Sequence, residues 1–421
     1  MNSRHPGLPG LGWPATRRNL LAGMGALAAA GLVPGRLRAQ SAPRVVVIGG
    51  GWGGISAARG VRNLLPDAEV TLIEPNSAFM SCPMSVHYLV GDRNAESLTF
   101  SYAALDRDNI RRIQARAEAI DRDSKTVVLP DARLPYDYLI VSPGIDYMYD
   151  AIDGFAEHRD QLPVAFRAFE QTALREALDA YDGGDIVLSV PPLPYRCPIA
   201  PYERAAVFAD WLERSGRPGR VILLDQNPDI PIGKPAIEAA FAELHADRLE
   251  HRKGVQIEAI DPGAREVRTD QGTISYGVAA ILPPQQAGAI VRTAGLGQRW
   301  APVRFPHFLS AEDDDIYIIG DAVGSPLPKS GHLAFETGQM VAAHIAARVQ
   351  DAEIDDDEAL PSAICFAFFN NDEAMAVNIT NRWNDLTEEI QRQAAVDPIR
   401  SAGAAEMAEN WSRSVWSQLL G

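Results

Sequence analysis

A short apolar run, Arg44-Val45-Val46-Val47-Ile48, passes without a break into Gly49-Gly50-Gly51-Trp52-Gly53-Gly54. A helical stretch over residues 55–64 follows, and Val70-Thr71-Leu72-Ile73 then ends on Glu74. Strand, glycine turn, helix and strand within about 30 residues make a βαβ unit, which commits the chain to a parallel sheet covered by helices. Gly49, Gly51 and Gly54 satisfy G-x-G-x-x-G in the context where that spacing is informative. Gly49 permits the tight turn, Gly51 lets a pyrophosphate approach the backbone, and Gly54 lets helix and strand pack closely. Trp52 and Gly53 complete the turn at the helix N-terminus, which faces the phosphates. Glu74 stands at the end of the second strand, where a carboxylate accepts from ribose hydroxyls. The unit binds a dinucleotide but does not by itself separate FAD from NAD.

Further along, Tyr138-Leu139-Ile140-Val141 reads as a strand closed by Ser142-Pro143-Gly144. A second α/β segment begins near residue 160, with a strand over 185–190, a helix over 202–214 and a strand over 221–224. From 278 the chain returns to the first unit, where Ile316-Tyr317-Ile318-Ile319 runs into Gly320-Asp321, and residues 333–349 read as a helix. The acidic run over 353–358 reads as a solvated linker. The last 60 residues mix strand and helix patterns; Ala404, Met407, Trp411, Val415 and Leu419 recur at helical spacing, as a face packed on this chain or a docking surface. The expected fold is α/β, with two Rossmann-like domains of glutathione reductase type and a smaller C-terminal α+β domain. The FAD-binding domain takes residues 42–158 and 278–350, the second domain 159–277, and the C-terminal interface domain 351–421.

The first 41 residues read as an export signal rather than fold. Thr16-Arg17-Arg18-Asn19-Leu20-Leu21 has the twin-arginine form, and an apolar run over 20–33 follows. That route carries folded, cofactor-loaded proteins, so the expected location is the periplasm, where disulfides are permitted. Residues 1–40 hold five arginines and no acid, so their removal leaves 34 basic against 55 acidic residues. A chain this acidic is no partner for nucleic acid. Past residue 40, no stretch approaches the apolar length that spans a bilayer.

Gly320-Asp321-Ala322, with Pro328-Lys329-Ser330-Gly331 after it, resembles the second flavin motif of flavoproteins with two dinucleotide-binding domains. In that family the aspartate holds the ribityl chain, so the resemblance implies FAD. Tyr136-Asp137-Tyr138 through Gly144 resembles the same family's conserved strand, with Ser142-Pro143-Gly144 departing in detail. The second domain should repeat the glycine turn after Val190 if it held NAD(P)H. It carries Pro191-Pro192-Leu193-Pro194-Tyr195-Arg196-Cys197-Pro198 instead. Proline has no N–H to give a phosphate, so NAD(P)H is not expected as reductant.

Three cysteines remain: Cys82, Cys197 and Cys365, none in a C-x-x-C pair. No metal site is expected, and without C-x-x-C-H the chain attaches no c-type haem. The stretch Arg196-Cys197-Pro198 through Pro201-Tyr202-Glu203-Arg204-Ala205 is similar to the flavoprotein subunit of flavocytochrome c sulfide dehydrogenase. So are Ser81-Cys82-Pro83-Met84-Ser85 and Trp300-Ala301-Pro302-Val303; Ile364-Cys365-Phe366 matches less closely.

That resemblance implies a Cys197–Cys365 disulfide opened by a small sulfur anion, a thioether from Cys82 to the flavin, and Glu203 as an active-site carboxylate. It also implies a c-type cytochrome subunit as partner. Which cysteine receives sulfide is open. His87 and His332 lie beside these motifs and read as structural. The alternatives are a sulfide:quinone oxidoreductase-like enzyme and a flavin-bearing accessory subunit without turnover of its own.

Overall fold

Five short strands, rich in valine and isoleucine, lie parallel in the order Arg111–Ile113, Glu69–Ile73, Arg44–Ile48, Tyr138–Val141, Ile316–Ile318. The computed structural model describes residues 42–421 apart from 168–169 and 354–358. The twin-arginine segment and most of the acidic run therefore lie outside the described residues. Register aligns the strand ends: Ile48 pairs with Ile73 and Val141, and Val141 with Ile318. The glycine turn, Glu74, Ser142-Pro143-Gly144 and Gly320-Asp321 thus all leave the sheet at one carboxyl edge, where open α/β sheets bind their ligands.

The helix Trp52–Leu64 starts directly after the turn and packs on the long helix Gly331–Gln350. Glycines let the pair close up. A Cβ on Gly338 would sit 2.5 Å from the Gly53 carbonyl oxygen, and one on Gly60 would sit 2.7 Å from the Ala342 Cβ. Ser330 caps the long helix, its Oγ accepting from the Leu333 N–H at 3.2 Å.

The second sheet is also parallel, in the order Leu249–Lys253, Val221–Asp225, Ile186–Val190, Val278–Ala280. Its fourth strand corrects the expected boundary at 278. Val278–Ala280 pairs with Ile186–Val190, so the chain leaves the second sheet only after Ala280. The run is too short to show by pattern which sheet it joins. The two crossings between sheets run side by side, Ile145–Tyr147 antiparallel to Gln285–Ala287.

The C-terminal part is a three-stranded antiparallel sheet, Ala359–Phe368, Ala374–Asn384 and Glu389–Val396, followed by the helix Ala402–Leu420. Ala404, Ala408, Ser412, Val415, Trp416 and Leu419 form the helix's buried face. Met407, expected on that face, is 52% exposed because the inward row runs through Ala408 instead. The Trp416 Nε1–H donates to Ser81 Oγ at 2.9 Å, tying the helix to the loop before Cys82. Residues 42–421 form one unit. Among the described residues, no helix is long and apolar enough to cross a membrane.

Candidate active site

A groove of about 610 Å³ runs along the carboxyl edge of the first sheet. Its walls include Gly49, Gly51, Trp52, Gly53, Glu74, Cys82, Gly144, Gly320, Asp321, Ser330 and Gly331, which are most of the flavin-site residues expected from sequence. Gly49 has φ +102°, and a Cβ there would lie 2.1 Å from the Ser142 carbonyl oxygen. Only glycine closes this turn. A Cβ on Gly54 would strike the Gly49 oxygen at 1.8 Å, so Gly54 sets the helix against the turn without lining the groove. Gly51 faces open space. Glu74 accepts from the Gly50 N–H at 2.7 Å and from Asn76 at 2.6 and 2.8 Å, which places its carboxylate against the turn.

These residues fit a bound FAD on an observation beyond motif. Asp321 Oδ1 is buried with no hydrogen-bond partner, and an orphaned carboxylate oxygen in a groove wall calls for a donor from a ligand. Its other oxygen, Oδ2, faces Arg196 Nε at 3.3 Å. Lys329 is a correction. Its ammonium donates to the carbonyls of Asp321 and Val323 at 2.9 and 2.7 Å and lies over the Trp300 ring at 3.8 Å, so it braces the Asp321 turn from behind and does not line the groove. Burial lowers its amine to about 8.

Beyond Trp52, Ser330 and Gly331 lies a second cavity, of about 110 Å³. Cys82, Cys197, Cys365, Glu203, Arg196 and His332 line it. Residues from four separate parts of the chain meet here. Cys82 comes from the loop between the short strand Ala78–Met80 and the helix Ser85–Leu89, Cys197 from the proline-rich loop, Glu203 from the helix Ala200–Arg214, and Cys365 from the strand Ala359–Phe368. The volume is well below the roughly 300–1,000 Å³ of drug-sized ligand sites, so it suits a small anion.

Cys197 takes φ +53°, a conformation that costs a side-chain-bearing residue about 1–2 kcal/mol. Its N–H donates to the Lys329 carbonyl at 2.7 Å, and the preceding Arg196 N–H donates to Gln285 Oε1 at 2.8 Å. Burial pushes the Cys197 thiol up, with Cys365 and Glu203 adding to the rise. Burial raises Cys365 to about 11, against a hydrogen bond with Ser330 that opposes it. All three cysteines are free thiols in the structure, so the implied Cys197–Cys365 bond is not among its observations.

Glu203 does not pair with Arg204 at the surface. Its Oε1 accepts the Phe368 N–H at 3.0 Å, while Arg204 donates to the Ala165 carbonyl at 2.7 Å. Burial raises the Glu203 carboxyl to about 7. His332 lines the cavity and accepts the Ile364 N–H at 3.3 Å; burial lowers its pKa. His87 packs edge-on against Phe368 at 4.4 Å, outside the cavity lining, as a structural residue does.

Arg196 is the residue to which sequence reasoning gave no role. It pairs with Asp321 and donates to Cys82 Sγ at 3.4 Å, and it lines both the groove and the cavity. Its place beside Cys197 in the Arg-Cys-Pro run was the available signal. Trp52 stacks on Trp411 with centroids 6.2 Å apart, which brings the C-terminal helix to the same wall.

Comparison with known proteins agrees with this architecture. Residues 43–176 match the family model described as pyridine nucleotide-disulphide oxidoreductase, and residues 171–283 match the central part of the sulfide dehydrogenase [flavocytochrome c] flavoprotein chain. The chain is 28% identical over 368 residues to the sulfide-quinone reductase of Aquifex aeolicus, covering 79% of this chain and 82% of that one. It is 57% identical over 42 residues to the flavocytochrome c flavoprotein chain of Chlorobaculum thiosulfatiphilum, covering 10% of this chain and 88% of that sequence. The X-ray structure of the Aquifex aeolicus sulfide:quinone oxidoreductase superposes with a TM-score of 0.75 at 23% identity, covering 90% of this chain and 91% of that one.

Fold and groove together define an oxidoreductase-type flavoprotein with two Rossmann-like domains. Within that class, the chain is similar to flavocytochrome c flavoprotein chains in its central part and to sulfide-quinone reductases over most of its length.

Proposed function

We propose that the protein is an FAD-dependent sulfide dehydrogenase of the periplasm that passes electrons to a c-type cytochrome subunit. The observation that carries this reading is the meeting of Cys197, Cys365, Glu203 and Arg196 around one small cavity beside the dinucleotide groove. When oxidised, Cys197 and Cys365 form the disulfide that hydrosulfide attacks. A new S–S bond forms to one cysteine sulfur as the old one breaks. The other cysteine leaves as a thiolate, so two electrons pass from the sulfide sulfur to the pair. Arg196, cationic and beside Cys82, favours entry of the anion. Glu203, poised near neutrality, takes the proton that the persulfide releases. FAD bound in the groove supplies a two-electron acceptor from which one-electron carriers can draw. Gly49, Gly51 and Gly53 would hold its pyrophosphate, Glu74 its ribose and Asp321 its ribityl chain, with Cys82 in reach as a covalent anchor.

The acceptor is the open point between two enzymes. A quinone is favoured by one observation, the 28% identity to a sulfide-quinone reductase over most of the chain. A cytochrome is favoured by the twin-arginine segment and by the match of the central domain to a flavocytochrome chain. Mixing the purified holoprotein with sulfide, then with cytochrome c or with a soluble quinone, tests the choice. Flavin bleaching followed by cytochrome reduction is expected. Bleaching that is relieved only by quinone would replace the cytochrome reading, and no bleaching would remove both.

A further inference from the structure

The second domain keeps one element of a nucleotide site. Asp225 ends the strand Val221–Asp225, the neighbour of Ile186–Val190, just as Glu74 follows the neighbour of Arg44–Ile48. An acid at that point of a βαβ unit ordinarily faces ribose. Asp225 faces none: it is 0% exposed, and every oxygen position is taken by the protein itself. Oδ1 accepts from the Asn227 N–H at 2.9 Å and from Asn227 Nδ2 at 3.0 Å. Oδ2 accepts from the Tyr202 hydroxyl at 2.7 Å and faces His251 Nε2 at 3.1 Å.

What those four bonds hold is the loop that carries Cys197. Asn227 Nδ2 also donates to the Pro191 carbonyl at 2.9 Å, and Asn227 Oδ1 accepts the Leu193 N–H at 3.1 Å. That fixes the loop's first half. Tyr195, whose hydroxyl neighbours that of Tyr202, donates to the Pro198 carbonyl at 3.0 Å. That fixes its second half. Between these two fixed points Cys197 sits at φ +53°. A residue keeps such a conformation only where its surroundings over-determine it.

We infer that Asp225 is the positioning residue for the reactive loop: the ribose acid of a lost nucleotide site, turned inward to hold Cys197 at the cavity wall. The inference rests on the reading of Cys197 as the redox cysteine. It also accounts for the domain's double change. Prolines replace the phosphate turn, and the acid that would have gripped ribose now grips the prolines through Asn227.

Asp225→Asn tests it. An amide accepts at one atom only, and its NH₂ would face at least one of the present donors. Tyr202→Phe is the second variant; it keeps the buried ring and deletes one bond to Asp225. In FAD-loaded protein reduced beforehand, iodoacetamide labelling of Cys197 is read against Cys365 in the same sample by mass spectrometry. Freeing the loop is expected to raise the Cys197:Cys365 labelling ratio about tenfold or more, and to slow sulfide-driven flavin reduction by a similar factor at unchanged half-saturating sulfide. A labelling ratio within twofold of wild type, in either variant that melts as a folded protein, overturns the inference. If wild-type flavin is not bleached by sulfide, the proposed function falls, while the labelling ratio still decides the role of Asp225.

Discussion

Replacing Glu203 with glutamine should make the protein more stable at alkaline pH and leave it nearly unchanged in acid. The Glu203 carboxyl is raised from 4.5 to about 7, chiefly by burial, against the Phe368 N–H that partly relieves it. Each unit is worth about 1.4 kcal/mol, so ionising this carboxyl in the folded protein costs about 3 kcal/mol more than in the unfolded chain. The sign follows from proton counting. Between the unfolded and folded pKa values the native state holds a proton that the unfolded state has released, so stability falls as pH rises. The penalty is absent below 4.5, grows through the interval, and is complete above about 7.

Glutamine keeps an acceptor for Phe368 and never ionises. Denaturant titrations of both proteins, at about pH 5 and about pH 8, isolate this group because all others cancel in the difference. The glutamine variant is expected to gain roughly 3 kcal/mol over wild type at the higher pH and little at the lower. Its rate of flavin reduction by sulfide is expected to lose the part of the pH dependence near neutrality that Glu203 adds to the ionisation of sulfide itself. Equal stability differences at both pH values would show that Glu203 ionises freely, and would remove it as the proton acceptor.

Three further substitutions probe the groove and its link to the cavity. Cys82→Ala should release all yellow colour from the acid-denatured chain, whereas wild-type protein is expected to retain it; release from wild type, or retention by the variant, would rule out the thioether. Arg196→Met leaves Asp321 without its cation, and a partly buried pair broken on one side costs about 3 kcal/mol; an unchanged melting temperature would show that the pair contributes nothing. Gly54→Ala drives a Cβ into the Gly49 carbonyl. Overpacking of this kind costs about 1–3 kcal/mol, and the variant should be purified without flavin; a normal flavin content would contradict the close approach.

The first domain was legible because its signals are local. A strand, a glycine turn and an acid at the next strand end fall within one short stretch, and register alone then brings Gly144 and Asp321 to the same edge. Cys197 was singled out by its resemblance-bearing Arg-Cys-Pro run and by the prolines standing where glycines belong, and it lines the cavity. What stayed hidden depends on pairings across the chain. Arg196 acquires its role from Cys82 and Asp321, more than 100 residues away on either side. Lys329 sits in a flavin-like motif, yet its ammonium turns to two carbonyls only eight and six residues back. Val278–Ala280 is too short for periodicity to say which sheet it joins. Asp225 looks like any acid at a strand end until Asn227 and Tyr202 are seen to fill it.

The central claim is that electrons leave sulfide through the Cys197–Cys365 pair. Stopped-flow mixing of sulfide with FAD-loaded wild type, Cys197→Ser and Cys365→Ser tests it most directly. Rapid bleaching of the flavin in wild type, and its loss in both variants with flavin content intact, is the predicted result. Bleaching at the wild-type rate in either serine variant would contradict it.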